Sequence, residues 1–346
     1  MKILVTGGAG FIGSALVREL LLNTNHKVIN LDALTYSGNL NSIPFAESHE
    51  NYQFEKCDIC DYKAVKEIFL RHEPNLIFHL AAESHVDRSI HSPRQFIQTN
   101  ILGTYNLLDA ALNIWRKRQE KANFFFKFHH ISTDEVFGDL GMTSDLFNES
   151  TSYDPSSPYS ASKASSDHLV RAWGRTYGLP YVITNCSNNY GPYQFPEKLI
   201  PNTIIKALSG ENIPVYGDGS QIRDWLYVGD HIEALLTVAM KSDNFESYTI
   251  GGHNELKNID VVQTICKILD EVFEIKPNSI SSFKNLISNV DDRPGHDLRY
   301  AIDATKIKNS LKWQPKETFN SGILKTVKWY IDNKDWWEKI KNNSHY

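Results

Sequence analysis

Read by the spacing of its apolar positions, the first half of the chain alternates two patterns. Residues 2–6, 26–32, 52–58, 75–80, 124–132 and 181–184 are short runs rich in branched and aromatic side chains, as expected of strands buried on both faces. Between them, residues 11–22, 61–71, 93–118 and 157–177 repeat apolar positions every three to four residues, the spacing of amphipathic helices. Strands that alternate with helices pair in parallel, because each crossover helix returns the chain to the same end of the sheet. The pattern therefore predicts an α/β fold with a doubly wound parallel sheet covered by helices on both faces.

After about residue 186 the rhythm breaks. Segments such as 188–193 (NNYGPY) and 216–220 (YGDGS) read as loops that a scaffold carries. A helix at 229–240 and a strand at 248–251 are predicted to return to the sheet. Two domains follow: residues 1–186 with about 228–255, and a smaller, discontinuous C-terminal part from about 187–227 and 256–346. At 346 residues the chain also exceeds the length at which single cores stop growing. The polar stretch 115–123 is expected to close a helix and turn into the next strand, and the tail beyond Trp336 to be loosely ordered.

Composition narrows the function classes. A net charge of −5 without basic runs argues against nucleic acid and anionic membranes as partners. No apolar run reaches the length of a membrane span, and Met1 leads straight into a strand without a secretory leader. Four cysteines in so long a chain make no disulfide framework, so a cytoplasmic location is expected. Cys57 and Cys60 form a C-x-x-C, but no second pair or histidine cluster completes a metal site, and the pair reads as a strand end and a turn.

Between the first strand and the first helix, residues 6–13 (TGGAGFIG) place Gly7, Gly10 and Gly13 in a G-x-x-G-x-x-G arrangement, with Phe11 and Ile12 inside it. One glycine permits the tight turn, one lets backbone N–H groups approach a pyrophosphate, and one lets the helix close on the strand. Asp32 ends the second strand, where a carboxylate meets adenosine ribose hydroxyls. The following Ala33-Leu34-Thr35 offers no arginine for a 2′-phosphate, which favours NAD over NADP. The domain is thus expected to be a Rossmann unit. Asp58, with Ile59 after it, fits either an adenine contact or a helix N-cap.

Tyr159 and Lys163 stand four residues apart on a predicted helix and so share a face. A lysine beside a phenol lowers its pKa, so that Tyr159 can take a proton from a hydroxyl as hydride leaves. Residues 131–138 (ISTDEVFG) put Asp134 and Glu135 at a strand's carboxyl end, where open parallel sheets place ligands. Simple dehydrogenation needs no such pair, and capping with solvation is the plainer reading of it.

Several longer strings resemble the dTDP-glucose 4,6-dehydratase family of the extended short-chain dehydrogenases. They are 79–90 (HLAAESHVDRSI), 132–138 (STDEVFG), 185–193 (NCSNNYGPY), 195–201 (FPEKLIP), 221–228 (QIRDWLYV), 251–255 (GGHNE) and 292–297 (DRPGHD), and the likeness runs from residue 1 to about 320. It implies that dTDP-glucose is oxidised at C4, loses water across C5 and C6, and regains its hydride at C6. Tyr159 then accepts the hydroxyl proton, Glu135 removes the C5 proton, Asp134 protonates the leaving hydroxyl, Thr133 holds the C4 oxygen and Lys163 orients cofactor and tyrosine. Ala81 and Ala82 fall to the cofactor. Glu83 and Ser84 fall near sugar and cofactor, and Asn188 near the diphosphate. Glu197, Lys198, Leu199, Tyr216, Arg223, Asn258, Arg293, His296 and Tyr300 match the nucleotide-binding wall. Cys57 stands where the family commonly has glycine.

The resemblance further implies a homodimer through helices 93–118 and 157–177, whose apolar residues cover more than one face. His79 and His85 read more simply as packed or hydrogen-bonded histidines than as functional ones. A UDP- or CDP-sugar dehydratase, a 4-epimerase and a non-catalytic NAD-binding protein are the alternatives. The pathway that consumes the product is left open.

Overall fold

The computed structural model describes residues 1–120 and 124–343, so the end of the expected 115–123 turn lies outside the described residues. In chain order the strands are β1 (Lys2–Thr6), β2 (Lys27–Asp32), β3 (Tyr52–Lys56), β4 (Leu76–His79), β5 (Lys127–Thr133) and β6 (Tyr181–Cys186). Then follow β7 (Asn188–Tyr190), β8 (Ile213–Tyr216), β9 (Ile222–Tyr227), β10 (Glu246–Ile250), β11 (Glu255–Lys257) and β12 (Ile287–Val290). Seven of them make one parallel sheet in the order β10-β6-β5-β4-β1-β2-β3. The order reverses beside β1, and the crevice at the carboxyl ends of β1 and β4 is the switch point at which such sheets bind ligands.

Alternating side chains feed two cores. Ile3 and Val5 pack with Leu16 and Leu20 of the helix Phe11–Asn23 and with Ile232 and Leu235 of the helix Val228–Lys241. Leu4 faces the other way, toward Ile68 and Leu107 of the helices Tyr62–His72 and Thr104–Arg118. This two-sided burial makes the strands read as continuous apolar runs.

Elsewhere the chain corrects its sequence reading. Residues 93–118 are helical throughout, but Ile97–Gly103 is a π-helical segment between Pro93–Phe96 and Thr104–Arg118. There the Asn100 amide donates to the Glu83 carbonyl (3.0 Å) and to Ser162 Oγ (2.8 Å) and accepts from the Glu83 N–H (2.9 Å). Apolar periodicity carries no trace of such a tertiary tie. The fifth strand starts at Lys127 rather than 124, because Phe124 and Phe126 pack on each other and on the core beneath. Asp61, not Asp58, caps the second helix, accepting from Ala64 N–H.

Beyond β6 the loop-like sequence conceals further helices, Leu199–Ser209, Asn258–Val272 and Phe319–Asp332. They enclose a third core around Tyr190, Ile204, Ile265 and Val327, beside a sheet ordered β11-β9-β7 and the pair β12-β8. Against the expectation of a loose tail, Lys334–Asn343 is a helix, and residues 344–346 of that tail lie outside the described residues. Trp337 anchors it, 2% exposed, with its indole N–H donating to the Tyr330 carbonyl at 2.9 Å. Among the described residues no helix is long and apolar enough to cross a membrane.

Candidate active site

A cleft of about 950 Å³ runs along the carboxyl edge of the large sheet. It is lined by Gly7, Gly10, Phe11, Ile12, Gly13, Asp32, Asp58, Ile59, Ala81 and Ala82, and by Glu83, Ser84, Thr133, Asp134, Glu135, Tyr159, Lys163, Asn188, Glu197 and Lys198. Leu199, Tyr216, Arg223, Asn258, Arg293, His296 and Tyr300 lie outside that lining.

The glycine loop is shaped to receive backbone-bound phosphate. Gly7 has φ +70°, and a Cβ there would stand 2.7 Å from Ala81 N; a Cβ on Gly13 would stand 2.1 Å from the Gly7 carbonyl oxygen. The helix it opens has Gly10 at its N-cap with no side-chain capping bond, so its first N–H groups are free to meet an anion. Asp32 is buried, with Ala9 N–H and Leu34 N–H donating to its two oxygens at 2.9 and 2.8 Å. Each carboxylate oxygen keeps a further lone pair for a ribose hydroxyl. These residues fit a dinucleotide. Asp58, exposed, accepts from Cys60 N–H at 2.8 Å in a turn at the far end of the cleft.

The reacting groups converge where β5 ends. Thr133 caps the short turn Asp134–Phe137 through Glu135 N–H, at 3.3 Å. Asp134 is buried, its Oδ1 accepting from the Thr133 hydroxyl at 3.3 Å and its Oδ2 without a partner. Burial, then the charges of Glu135 and Asp224, push its pKa well above the ordinary carboxyl range. Glu135, half-buried and facing the cleft, is also raised by burial, but Arg293, Arg223 and Lys198 oppose the rise. Both carboxyls are thus raised, but unequally opposed: Arg223 alone among the cations acts against the rise of Asp134, while three cations act on Glu135.

Opposite them stands the helix Pro158–Tyr177, whose start is fixed by Pro158 and a Ser157–Ser160 capping box. Tyr159 is buried beside Thr133, which hydrogen-bonds its hydroxyl. The expected lowering of its pKa by Lys163 is not what the geometry gives. Lys163 Nζ donates to the Ile131 carbonyl at 2.9 Å, while burial and then Glu135 push the Tyr159 phenol well up. The lysine is committed to the strand, and the nearest charges to the phenol are negative.

The residues outside the cleft lining are held by contacts of their own. Arg223 is pinned by the carbonyls of Ile222, Leu298 and Asp297 at 2.8 to 3.3 Å and lies 4.1 Å over the Tyr300 ring. Tyr300 in turn donates a very short hydrogen bond to Asp297. Arg293 pairs with Asp87 at 3.1 Å, and Tyr216 donates to the same carboxylate at 3.0 Å. His296 Nδ1 is 2.6 Å from Asp292 and its ring packs on Tyr216. Asn258 opens the helix Asn258–Val272 with its side-chain oxygen buried and unpartnered, and Leu199 opens Leu199–Ser209.

Several contributors escaped the sequence reading. Tyr36 donates to Glu197 at 3.2 Å, and the Arg88 guanidinium stacks 3.6 Å from its ring. Lys198 donates to the Ser84 carbonyl at 3.1 Å. Nothing in sequence marks Tyr36, but Asp87 and Arg88 lie in the 79–90 string just past a strand's carboxyl end, a position that could have signalled them. His79 is a packed histidine, between Thr6 and Thr104 hydroxyls at 2.8 and 2.9 Å. His85 caps the helix Val86–His91, its ring 3.6 Å from Glu197, and burial holds its pKa down to about 4.

A family model described as GDP-mannose 4,6 dehydratase matches residues 4–326. A dTDP-glucose 4,6-dehydratase of Escherichia coli is 62% identical, covering 100% of this chain and 98% of its own length. Crystal structures agree. The dTDP-glucose 4,6-dehydratase of Streptomyces venezuelae, with NAD and TYD bound, superposes with a TM-score of 0.89 at 40% identity, over 98% of this chain and 100% of that one. The enzyme of Bacillus anthracis in complex with NAD gives 0.85 at 43% identity, over 98% and 99%. Over essentially its whole length, this chain belongs to the dTDP-glucose 4,6-dehydratase family.

Proposed function

We propose that the chain is an NAD-dependent dTDP-glucose 4,6-dehydratase that forms dTDP-4-keto-6-deoxy-glucose and water. The observation that carries this reading is the adjacent pair Asp134 and Glu135, set apart electrostatically at the mouth of the cleft. Elimination requires an acid and a base at one pH, and a carboxyl raised well above its usual range beside one that faces three cations can supply both. A 4-epimerase needs neither, and a purely binding protein has no use for a buried, unpartnered carboxyl.

Bound NAD supplies an oxidised ring that takes hydride from C4, returns it to C6, and brings positive charge to the site. The chain's own groups do the rest. Thr133 holds the C4 oxygen and the Tyr159 hydroxyl together, and Tyr159 receives the C4 hydroxyl proton as a phenolate, a form that burial and Glu135 oppose and the cofactor's positive charge would favour. The new ketone acidifies C5, Glu135 removes the C5 proton, and Asp134 hands its own proton to the departing C6 hydroxyl. Glu83, its pKa raised by burial and held by Gln95 at 3.0 Å, and Ser84 border the sugar. Arg223 and Arg293 offer planar guanidinium groups to the diphosphate. Asn188, Glu197, Lys198, Leu199, Tyr216, Asn258, His296 and Tyr300 complete the nucleotide side. The large sheet, residues 1–186 with about 228–255, carries the dinucleotide, and 187–227 with 256–346 carry the nucleotide sugar.

Ile97, Tyr105 and Tyr177 are exposed apolar residues on the two helices expected to pair, which supports a homodimer through those helices. Sedimentation tests it, and a monomer at micromolar concentration rejects it. A cytoplasmic site of action fits the four free cysteines. The function itself is tested by incubating the protein with dTDP-, UDP- and CDP-glucose and following the alkaline absorbance of a 4-keto sugar. Turnover of dTDP-glucose without net loss of NAD is expected; stoichiometric reduction of NAD refutes the reading.

A further inference from the structure

Behind Lys163, away from the cleft, lies a carboxylate that the chemistry above does not use. Asp167, one turn further along the same helix, has no solvent exposure. Its Oδ1 accepts from His130 Nε2 at 3.0 Å, and its Oδ2 accepts from the Tyr153 hydroxyl at 2.8 Å and from Asn185 Nδ2 at 3.2 Å. Each neighbour leads to the active site or braces the one that does. The Asn185 amide also donates to the Thr133 carbonyl at 3.1 Å. His130 precedes Ile131, whose carbonyl takes Lys163 Nζ. Arg171 donates to Tyr153 at 3.1 Å from outside.

We propose that Asp167 is a positioning residue for the oxidation step: from one helical turn away it keeps the Lys163 ammonium charged, and through Asn185 it fixes the strand end that carries Thr133, Asp134 and Glu135. A buried ammonium with one carbonyl partner needs a counter-charge. The other groups that face Lys163 do not supply one. His79 on β4 and His130 on β5 are kept neutral by burial, His130 at about 4. Burial pushes the Cys186 thiol on β6 up to about 12, and the Tyr159 phenol on the same helix is raised as well. Asp167 is the carboxylate left to act on Lys163, and against the burial that pushes it up, the His130 hydrogen bond and the Lys163 charge hold its own pKa below the usual range.

The proposal rests on Tyr159 and Lys163 as the oxidising pair, so its test includes a readout independent of turnover. The Lys163 side-chain resonance is followed through pH by NMR in lysine-labelled, cofactor-free protein and identified by its loss in Lys163→Met. In Asp167→Asn that titration should move to lower pH by about one to three units, the scale for one neighbouring charge. The basic limb of kcat/KM with dTDP-glucose should move with it. Tyr153→Phe, which removes a hydrogen bond but keeps the charge, should lower thermal stability and leave both curves in place. If Asp167→Asn lowers stability while the Lys163 titration stays put, Asp167 is a packing residue and the proposal is wrong. Should that variant not fold, the wild type decides: its Lys163 resonance should show a small step at the acid pH where Asp167 itself titrates. No step there overturns the charge coupling, whatever the enzyme turns over.

Discussion

Replacing Asp134 with asparagine should make the folded protein more stable while abolishing elimination. The two side chains are nearly the same shape, and in the wild type Oδ2 already lies buried without a partner, so the exchange places one neutral group where another stood. The difference lies in proton linkage. A carboxyl whose pKa is raised by folding contributes its full share of stability below its unfolded value, ordinarily 3.8, and loses it as pH climbs toward the folded value. Over every pH unit in which the folded chain keeps a proton that the unfolded chain has released, the wild type gives up about 1.4 kcal/mol. Asparagine carries no such linkage. As pH rises from 3.8 toward the folded value, the variant should therefore gain steadily on the wild type, by about 1.4 kcal/mol for each pH unit. Urea unfolding of both proteins at several pH values measures this directly as a slope. Conversion of dTDP-glucose should meanwhile fall by on the order of 10²–10⁴, the usual worth of general acid–base assistance. A stability difference that stays flat with pH would mean that Asp134 folds as a carboxylate. It could then not be the proton donor, and the division of labour between the two carboxyls would collapse.

Glu135→Gln should leave C4 oxidation intact but slow the exchange of solvent deuterium into C5 by about 10²–10⁴; exchange at the wild-type rate would put the base elsewhere. Gly13→Ala forces a Cβ to within 2.1 Å of the Gly7 carbonyl oxygen. It should cost on the order of 1–3 kcal/mol of stability and weaken NAD binding, read by thermal unfolding and cofactor titration. Trp337→Ala should destabilise by about 3–5 kcal/mol with kcat unchanged, because the terminal helix hangs on that side chain well away from the cleft.

Much of this molecule could be read in its sequence, for reasons that differ between its parts. Strands buried on both faces and helices buried on one leave strong periodic signals, so the seven strands of the large sheet were each expected, with only their ends displaced. The glycine loop and Asp32 were legible because backbone geometry permits few alternatives there. The third core was not. Helices such as Asn258–Val272 are flanked by glycine- and proline-rich turns, and their apolar faces meet only after distant segments assemble. The tail failed for the opposite reason: a polar run hides the single buried tryptophan that orders it. Charge settings were the least legible. Tyr-x-x-x-Lys predicts that the two side chains share a face, and not that the lysine gives its ammonium to Ile131. Nor does the dipeptide Asp134-Glu135 reveal which carboxyl meets the cations, since Arg223 and Arg293 arrive from far along the chain.

Asp224 has a mechanical consequence. The chain crosses between the two larger sheets at β6 to β7, with only Ser187 intervening, at β9 to β10 through the helix Val228–Lys241, and at β10 to β11. Ser187 N–H donates to the Ile250 carbonyl at 3.0 Å. The β10 to β11 crossing is held by the Asp224 carboxylate, which accepts from Gly252 N–H at 2.9 Å and Asn254 N–H at 2.7 Å. The β10 to β11 joint is thus held by one buried side chain and the β6 to β7 joint by the Ile250 carbonyl, contacts that work against hinging at either. The edge where Tyr36, Arg88 and Glu197 touch is closed by side-chain contacts, and entry and exit rates should respond to substitutions there more than at the two bonded crossings.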